Sequence, residues 1–473
     1  MSDQKKYTRL LSNTATIGIG TLGSKLLVYF LVRLYTSVLT NAEFSIASNI
    51  TEMATLLIPF ISLGIGEAVF RFAMDKGYQQ KEIFTQGFVA IFCGALILPI
   101  IAIVFLNIDY FSSYVPLLVL YILSSSIHTN CSQYIRAKAL FKLYALQGII
   151  NTLLMIGLNI LFLIPLNMGI TGYVMSVVVA DFLSTVFLFV AAKLWRDISF
   201  TGLQRSTFKA MILYSLPLIP TTVSWWITNV SDRYMITFMQ GDTVNGLYAA
   251  AYKIPTLLMV LIGIFNSAWK YSAVEERGES NSASFFSNVY HTFTTCLFLI
   301  SGGIIAFSKA LSAMMFGEDF RAAWVYIPVL TLALAFSALS SFTGTIFIVE
   351  KKSRFSLYTA IIAATVNILL NFILIPHFSG DRVGAMGAAL ATLFAYLVMF
   401  ALRLFFSTKL VPYRTYLVET ILNVLVLSAM AITVSLEVPY WILWQVLLGT
   451  LLLIVNGKVI LGLLKQGVAL IKR

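Results

Sequence analysis

The chain is poor in charge, cysteine and histidine. Only 11% of its 473 residues are charged, where a soluble domain carries about 25%. With 59% hydrophobic residues, such a chain would aggregate in water, so the bilayer is its solvent. The three cysteines (Cys93, Cys131, Cys296) and three histidines (His128, His291, His377) are scattered, with no CxxC and no His-rich cluster. No metal site is expected, and the cysteines read as small apolar packing residues. A Walker motif, a nucleophile–base arrangement and paired catalytic carboxylates are all lacking, so neither direct ATP use nor enzymatic chemistry is expected, and no cofactor. The alternation of an outer-membrane barrel is also missing. The N-terminal Lys5, Lys6 and Arg9 precede an apolar run from Thr14 without an A-x-A cleavage site, which points to an uncleaved first span.

What the chain has is long apolar runs. A helix crossing about 30 Å of hydrocarbon needs roughly 20 residues. On that basis fourteen spans are expected, over 14–36, 45–69, 84–106, 113–133, 142–164, 168–192, 212–236, 246–269, 287–307, 324–348, 355–375, 384–406, 414–435 and 440–462. Their connections are too short for a separate soluble domain. With the N-terminus inside, 25 of the 32 basic residues fall in cytoplasmic segments or at the cytoplasmic ends of spans, and only Lys309, Arg321 and Arg382 in outer ones. That asymmetry matches the positive-inside rule and puts both termini in the cytoplasm. The net charge of +12 is therefore a consequence of topology, not a nucleic-acid footprint.

An internal repeat underlies this plan. Tyr114-Val-Pro116 recurs as Tyr326-Ile-Pro328, offset 212; Phe141-Lys-Leu-Tyr144 as Phe355-Ser-Leu-Tyr358, offset 214; Gly169-Ile-Thr-Gly172 as Gly384-Ala-Met-Gly387, offset 215. Leu158–Pro165 and Leu370–Pro376 form a further pair. Six spans separate each copy, and an even number preserves orientation, so the halves are parallel repeats about an axis along the membrane normal. The expected architecture is all-α and polytopic: a six-helix lobe over 1–195, a basic linker over 196–211, a second six-helix lobe over 212–410, and two extra helices over 411–473. The linker, with Phe200, Leu203 and Phe208, suits a short amphipathic piece in the interface.

Charges within spans are costly and mark candidate sites. Lys25 lies at mid-span, and Arg33 eight residues on. Asp232 and Arg233 stand at the expected outer end of span seven, and Lys253 inside span eight. Glu52 lies about a third of the way into span two. Arg33 and Arg233 are 200 apart, and Glu52 and Lys253 are 201 apart, near the repeat offset in that region. These charges fit the walls of one cationic cavity between the lobes; they equally fit structural ion pairs and outer-leaflet anchors. Asp181, mid-span among Ser176, Ser184 and Thr185, is an ion-coupling candidate, as is Glu52; a hydrogen-bonded packing role is the alternative for Asp181. The polar run Ser124 to Gln133 should face a cavity rather than lipid, with His128 either titrating or satisfied. Pro217, Pro220 and Pro255 should kink or loosen their helices.

Several stretches resemble the Wzx-type O-antigen and capsule repeat-unit flippases, in the superfamily of MATE exporters and lipid II flippases. They are Tyr214-Ser-Leu-Pro217-Leu-Ile-Pro220, Asp232-Arg233-Tyr234-Met-Ile, Gly246-Leu-Tyr248-Ala-Ala-Ala-Tyr252-Lys253-Ile, and Leu63-Gly-Ile-Gly-Glu-Ala-Val-Phe-Arg71. The resemblance implies a two-lobed fold in the bacterial inner membrane. Its implied cargo is an undecaprenyl-pyrophosphate-linked oligosaccharide, moved from the cytoplasmic to the periplasmic leaflet. It also implies that Lys25, Arg33, Arg233 and Lys253, with Glu52 and Asp232 beside them, stand where the pyrophosphate binds, and that polysaccharide polymerase and chain-length proteins are partners. The first span lacks the acidic residue of a MATE-like ion site. A second reading, a cation-coupled exporter of small amphipathic compounds, keeps some room through Trp225, Trp226 and Trp269.

Overall fold

The computed structural model describes residues 31–75, 77–275, 282–350, 352, 354–378, 380, 383–462 and 465. Among the described residues every regular element is a helix, and eleven helices are long and apolar enough to cross a membrane. These correspond to eleven of the expected spans. Of the other three, Ile219–Gln240 is the helix of span seven. Trp441–Val455 is the last, shortened to 15 residues. Residues 31–38 form the described end of the first. The chain is an all-α polytopic membrane protein with about fourteen membrane helices. It divides into two compact units, the first ending at Val230 and the second beginning at Ser231.

In the first unit, helix α1 (Asn41–Ile61) opens on a capping box. The Glu43 amide donates to Thr40 Oγ1 at 3.2 Å, and the Thr40 amide donates to Glu43 Oε2 at 2.9 Å, which satisfies two amides that the first turn leaves without helical partners. Span two is not continuous as expected. Leu63 and Gly64 take left-handed conformations, φ 53° and 63°, ending α1 and starting α2 (Ile65–Ala73). Span three is likewise split into α3 (Gln80–Ala95) and α4 (Leu98–Leu106). Pro99 occupies the first turn of α4, where its missing N–H costs nothing. Then come α5 (Val115–Ala137), α6 (Phe141–Leu163) and α7 (Gly169–Ala192), with α7 packed along both α5 and α6.

One apolar core of this unit joins α2, α3, α5 and the segment after α7. Phe84 stacks on Tyr134 with centroids 4.2 Å apart, surrounded by Ile65, Val69, Ile135, Leu188, Leu194 and Met211. Met211 comes from α8 (Arg205–Ser215), so the basic linker contributes to this core. It is pinned there by polar contacts as well. The Ser199 amide donates to Thr85 Oγ1 at 2.9 Å, the Gln204 amide to Glu82 Oε1 at 3.0 Å, and Lys138 Nζ to Asp197 at 2.7 Å. A 3₁₀ turn, Leu216–Leu218, holds Pro217 and separates α8 from α9 (Ile219–Gln240). Span seven therefore begins at residue 219 rather than 212 and runs on to Gln240.

The second unit holds α10 (Asp242–Glu275), α11 (Ser282–Ala306), α12 (Ile327–Val349), α13 (Arg354–Leu374), α14 (Met386–Leu410), α15 (Leu417–Ser435) and α16 (Trp441–Val455). Helix α12 is its centre, with 20 of its 23 residues buried. Helix α14 packs on α12 and α13 as α7 packs on α5 and α6. In both units the second glycine of the repeated Gly-x-x-Gly lies against the end of the preceding helix. A Cβ on Gly172 would sit 3.3 Å from the Phe162 carbonyl oxygen, and one on Gly387 2.4 Å from that of Leu374. The last two helices are tied in by Lys309, whose Nζ donates to Glu437 at 2.6 Å and lies 4.3 and 4.4 Å over the rings of Trp324 and Trp441. Large apolar side chains such as Ile442 and Ile454 stand outward, 62% and 70% exposed, as a lipid-facing surface requires.

Candidate functional site

Among the described residues, each unit buries a carboxylate deep within a span, in a polar network: Asp181 in the first and Asp232 in the second. Such groups cannot be left bare at this depth, so their partners define what they can do.

In the first unit the network is built on α5, α6 and α7. The polar run of α5 separates into two faces, as the 3.6-residue period demands. Ser126, Asn130 and Tyr134, spaced by four, are buried on one face. Ser125, His128 and Ser132 lie on another and meet polar side chains of α6 and α7. Asp181 of α7 accepts from Ser125 Oγ through a very short contact and from Asn151 Nδ2 at 2.9 Å. His128 Nδ1 faces Asp181 Oδ1 at 3.5 Å. Its Nε2 lies 3.0 Å from Gln147 Oε1, and Gln147 Nε2 donates to Ser132 Oγ at 3.2 Å. The polar run thus faces other helices' polar side chains, and His128 is paired with the carboxylate. At the offset of 215 that relates Gly169 to Gly384, Asp181 corresponds to Tyr396, so the second unit does not repeat this network.

In the second unit the carboxylate is Asp232 on α9, 1% exposed, beside Arg233, 4% exposed. Because α9 continues to Gln240, the pair is not at the end of its helix, and it lies inside the packing of its unit. Asp232 Oδ2 accepts from Tyr248 Oη at 2.5 Å and from Thr392 Oγ1 at 3.3 Å, while Oδ1 accepts the Arg233 amide at 2.9 Å. Thr392 in turn accepts from Asn367 Nδ2 at 3.3 Å, and Asn367 Oδ1 from Asn371 Nδ2 at 3.1 Å. The Arg233 guanidinium lies 5.5 Å from the Tyr252 ring centroid, a favourable placement for a partly desolvated cation. Arg403 of α14 also turns inward: it donates to Thr359 Oγ1 at 3.0 Å and to the Ser340 carbonyl at 2.9 Å.

Lys25 lies outside the described residues. Arg33 is exposed and Arg233 buried, so these two positions of the repeat differ in environment. Glu52 is half-buried on α1, and its backbone carbonyl accepts from Trp226 Nε1 at 2.9 Å. Lys253 is half-buried on α10, next to Tyr252. Glu52 and Lys253 belong to different units. Sequence reasoning singled out Asp181 and Asp232 but not their partners Asn151, Tyr248 and Thr392, nor Gln147 and Asn367 behind them. The signal present was the pairing of amides at helical spacing, Gln147 with Asn151 and Asn367 with Asn371.

The fold and the sequence can be set beside known proteins. The family described as polysaccharide biosynthesis protein matches residues 10–270, more than half of the chain. The structure is similar to an inward-facing multidrug resistance MATE family transporter of the MOP superfamily, at 17% identity and TM-score 0.63, covering 84% of this chain and 98% of that one. An outward-facing MATE family transporter of the same superfamily gives 15% identity and TM-score 0.58 over 84% and 96%. A MOP superfamily transporter from Pyrococcus furiosus, described by the reverse polarity of its binding pocket, gives 16% and 0.58 over 84% and 96%. At these identities the likeness is one of fold. No curated protein matches by sequence. A multi-pass membrane protein with the fold of MATE and MOP transporters, the chain belongs to the polysaccharide biosynthesis protein family.

Proposed function

We propose that the chain is a flippase for undecaprenyl-pyrophosphate-linked oligosaccharide repeat units. It moves them from the cytoplasmic to the periplasmic leaflet of a bacterial inner membrane by alternating access, with both termini cytoplasmic. The observation that carries this reading is the family match over residues 10–270. It is supported by the sign of the charges within the spans. A pyrophosphate calls for lysine and arginine, and Lys25, Arg33, Arg233 and Lys253 all fall within spans expected from the sequence. Glu52 and Asp232 are the carboxylates that balance these cations when no cargo is bound. The polyprenyl tail stays in lipid, and the sugar is passed on to polysaccharide polymerase and chain-length proteins.

Deleting the protein should make lipid-linked oligosaccharide accumulate on the cytoplasmic leaflet. Unchanged glycolipid together with lost drug resistance would favour the exporter of small amphipathic compounds instead. Within the flippase, Lys253→Ala and Lys25→Ala should each lower transport by about tenfold or more, the loss of one charge-assisted contact, while membrane insertion stays normal. Arginine at either position should partly restore activity. Normal transport by both alanine variants would remove the cationic residues from the mechanism.

A further inference from the structure

The second unit carries a groove that the transport reading does not use. It has a volume of about 530 Å³ and runs between α11 and α16, over Met430 of α15. On α16 its lining extends from Trp441 to Leu453. Twelve steps at about 1.5 Å each make about 18 Å, close to one leaflet of a hydrocarbon core about 30 Å thick. The groove is open because its walls are small. A Cβ on Gly303 or on Gly449 would meet nothing within 4 Å. A phospholipid acyl chain matches this length, whereas a polyprenyl chain is far longer and would overrun it.

Charge gathers at one end of the groove. Lys309 lines it there, bonded to Glu437 and flanked by the rings of Trp324 and Trp441. Tryptophan beside charge is the pattern of a membrane–water interface. The Lys309 and Glu437 side chains stay 24% and 47% exposed. An ammonium has three hydrogens, so Lys309 can hold a phosphate and keep Glu437. Glu437 itself is set by the turn between α15 and α16, where it takes a left-handed conformation, φ 49°. Its carboxylate selects the head group, because it repels an anionic lipid and attracts an ammonium. Gln445, one turn below Trp441, gives both amide hydrogens away, to the Met430 carbonyl at 3.0 Å and Thr433 Oγ1 at 2.8 Å. Its Oε1 meets no donor among the described residues. Two acceptors thus border the groove, and they call for a head group that donates.

We propose that this groove is a site for one zwitterionic aminophospholipid, phosphatidylethanolamine. Its phosphate lies on Lys309, its ammonium on Glu437, and one acyl chain along α16, while the second chain stays in bulk lipid. The lipid adds a bridge between α11 and the last two helices, where Lys309 already ties them. Its assignment to the outer leaflet rests on the topology proposed above; the site itself rests neither on that topology nor on the cargo.

The test is a lipid titration of the purified, delipidated full chain, read by native mass spectrometry. Dioleoyl phosphatidylethanolamine, phosphatidylcholine and phosphatidylglycerol are the separate probes. Phosphatidylcholine has the same charges but no N–H, and phosphatidylglycerol has no ammonium. Phosphatidylethanolamine should bind about tenfold tighter than either, or more, the effect of one charge-assisted hydrogen bond. Glu437→Gln should level the three affinities. Gly449→Leu, which fills the groove from α16, should weaken all three by about tenfold or more, and Gly303→Leu should do the same from α11. Leucine favours a helix over glycine, so both variants should melt no lower than the wild type. Equal affinities in the wild type, tighter binding of phosphatidylglycerol, a preference that survives Glu437→Gln, or undiminished binding by both leucine variants would each overturn the proposal. Displacement of phosphatidylethanolamine by undecaprenyl phosphate would overturn it too, by giving the groove to the cargo's tail. None of these measurements requires transport, so they are separable from the glycolipid assay.

Discussion

Gly94→Ala is expected to destabilise the first unit by about 3 kcal/mol or more, at the upper end of what overpacking costs. A Cβ on Gly94 would lie 1.8 Å from the carbonyl oxygen of Ile61 and 2.8 Å from its carbonyl carbon. These are backbone atoms and cannot rotate away. Ile61 is the last residue of α1, just before the left-handed turn at Leu63 and Gly64. Moving it would disturb that turn and shift α2, which contributes Ile65 and Val69 to the core around Phe84 and Tyr134. Gly302→Ala is the control. Its Cβ would meet only side-chain ends, Leu452 Cδ2 at 2.6 Å, Leu427 Cδ2 at 3.3 Å and Met430 Sδ at 4.0 Å, which can shift to other rotamers. Thermal unfolding of the purified protein should show a large fall for Gly94→Ala and a small one for Gly302→Ala. Equal falls would show that the α1–α3 contact yields as easily as a leucine.

Asp232→Ala should destabilise the second unit by about 3–5 kcal/mol, the range for removing one partner of a buried charged network. The substitution takes away the acceptor of Tyr248, Thr392 and the Arg233 amide, and the carboxylate beside a guanidinium only 4% exposed. Asp232→Asn keeps the shape and one acceptor oxygen, so it should cost less, about 1–3 kcal/mol. Combining Asp232→Asn with Tyr248→Phe should give a loss smaller than the sum of the single changes, with a coupling of about 0.6 kcal/mol or more. Additive losses would mean that the tyrosine and the carboxylate do not act together. A wild-type melting curve for Asp232→Ala would show that this network is not what holds the unit.

Much of the architecture was legible in the sequence because the bilayer imposes a simple rule. A spanning segment must satisfy its own backbone and show apolar side chains, so composition and length locate it. The helix breaks were less legible. The turns at Leu63–Gly64 and Leu96–Ile97 lie inside apolar runs, where hydropathy has no contrast to mark a boundary. The apolar run alone puts span seven at 212–236, with Asp232 near its outer end. In the structure Pro217 sits in the 3₁₀ turn before the helix, and the helix gains its length at the other end.

The sites divide in the same way. An aspartate amid apolar residues announces itself, so Asp181 and Asp232 stood out at once. Their partners did not. His128 and Asn151 reach Asp181 from 53 and 30 residues away, and Thr392 reaches Asp232 from 160. Contacts over such separations depend on how far each helix is rotated about its axis when it packs, and hydropathy alone does not report that angle. By itself the sequence determined the solvent, the spans, the internal repeat and the positions of costly charge, since each follows from local composition and its period. Only the tertiary structure decided which polar face of α5 meets Asp181, that Gln147 orients His128, and that Asp232 is enclosed rather than exposed. Those outcomes come from side-chain packing between helices far apart in the chain.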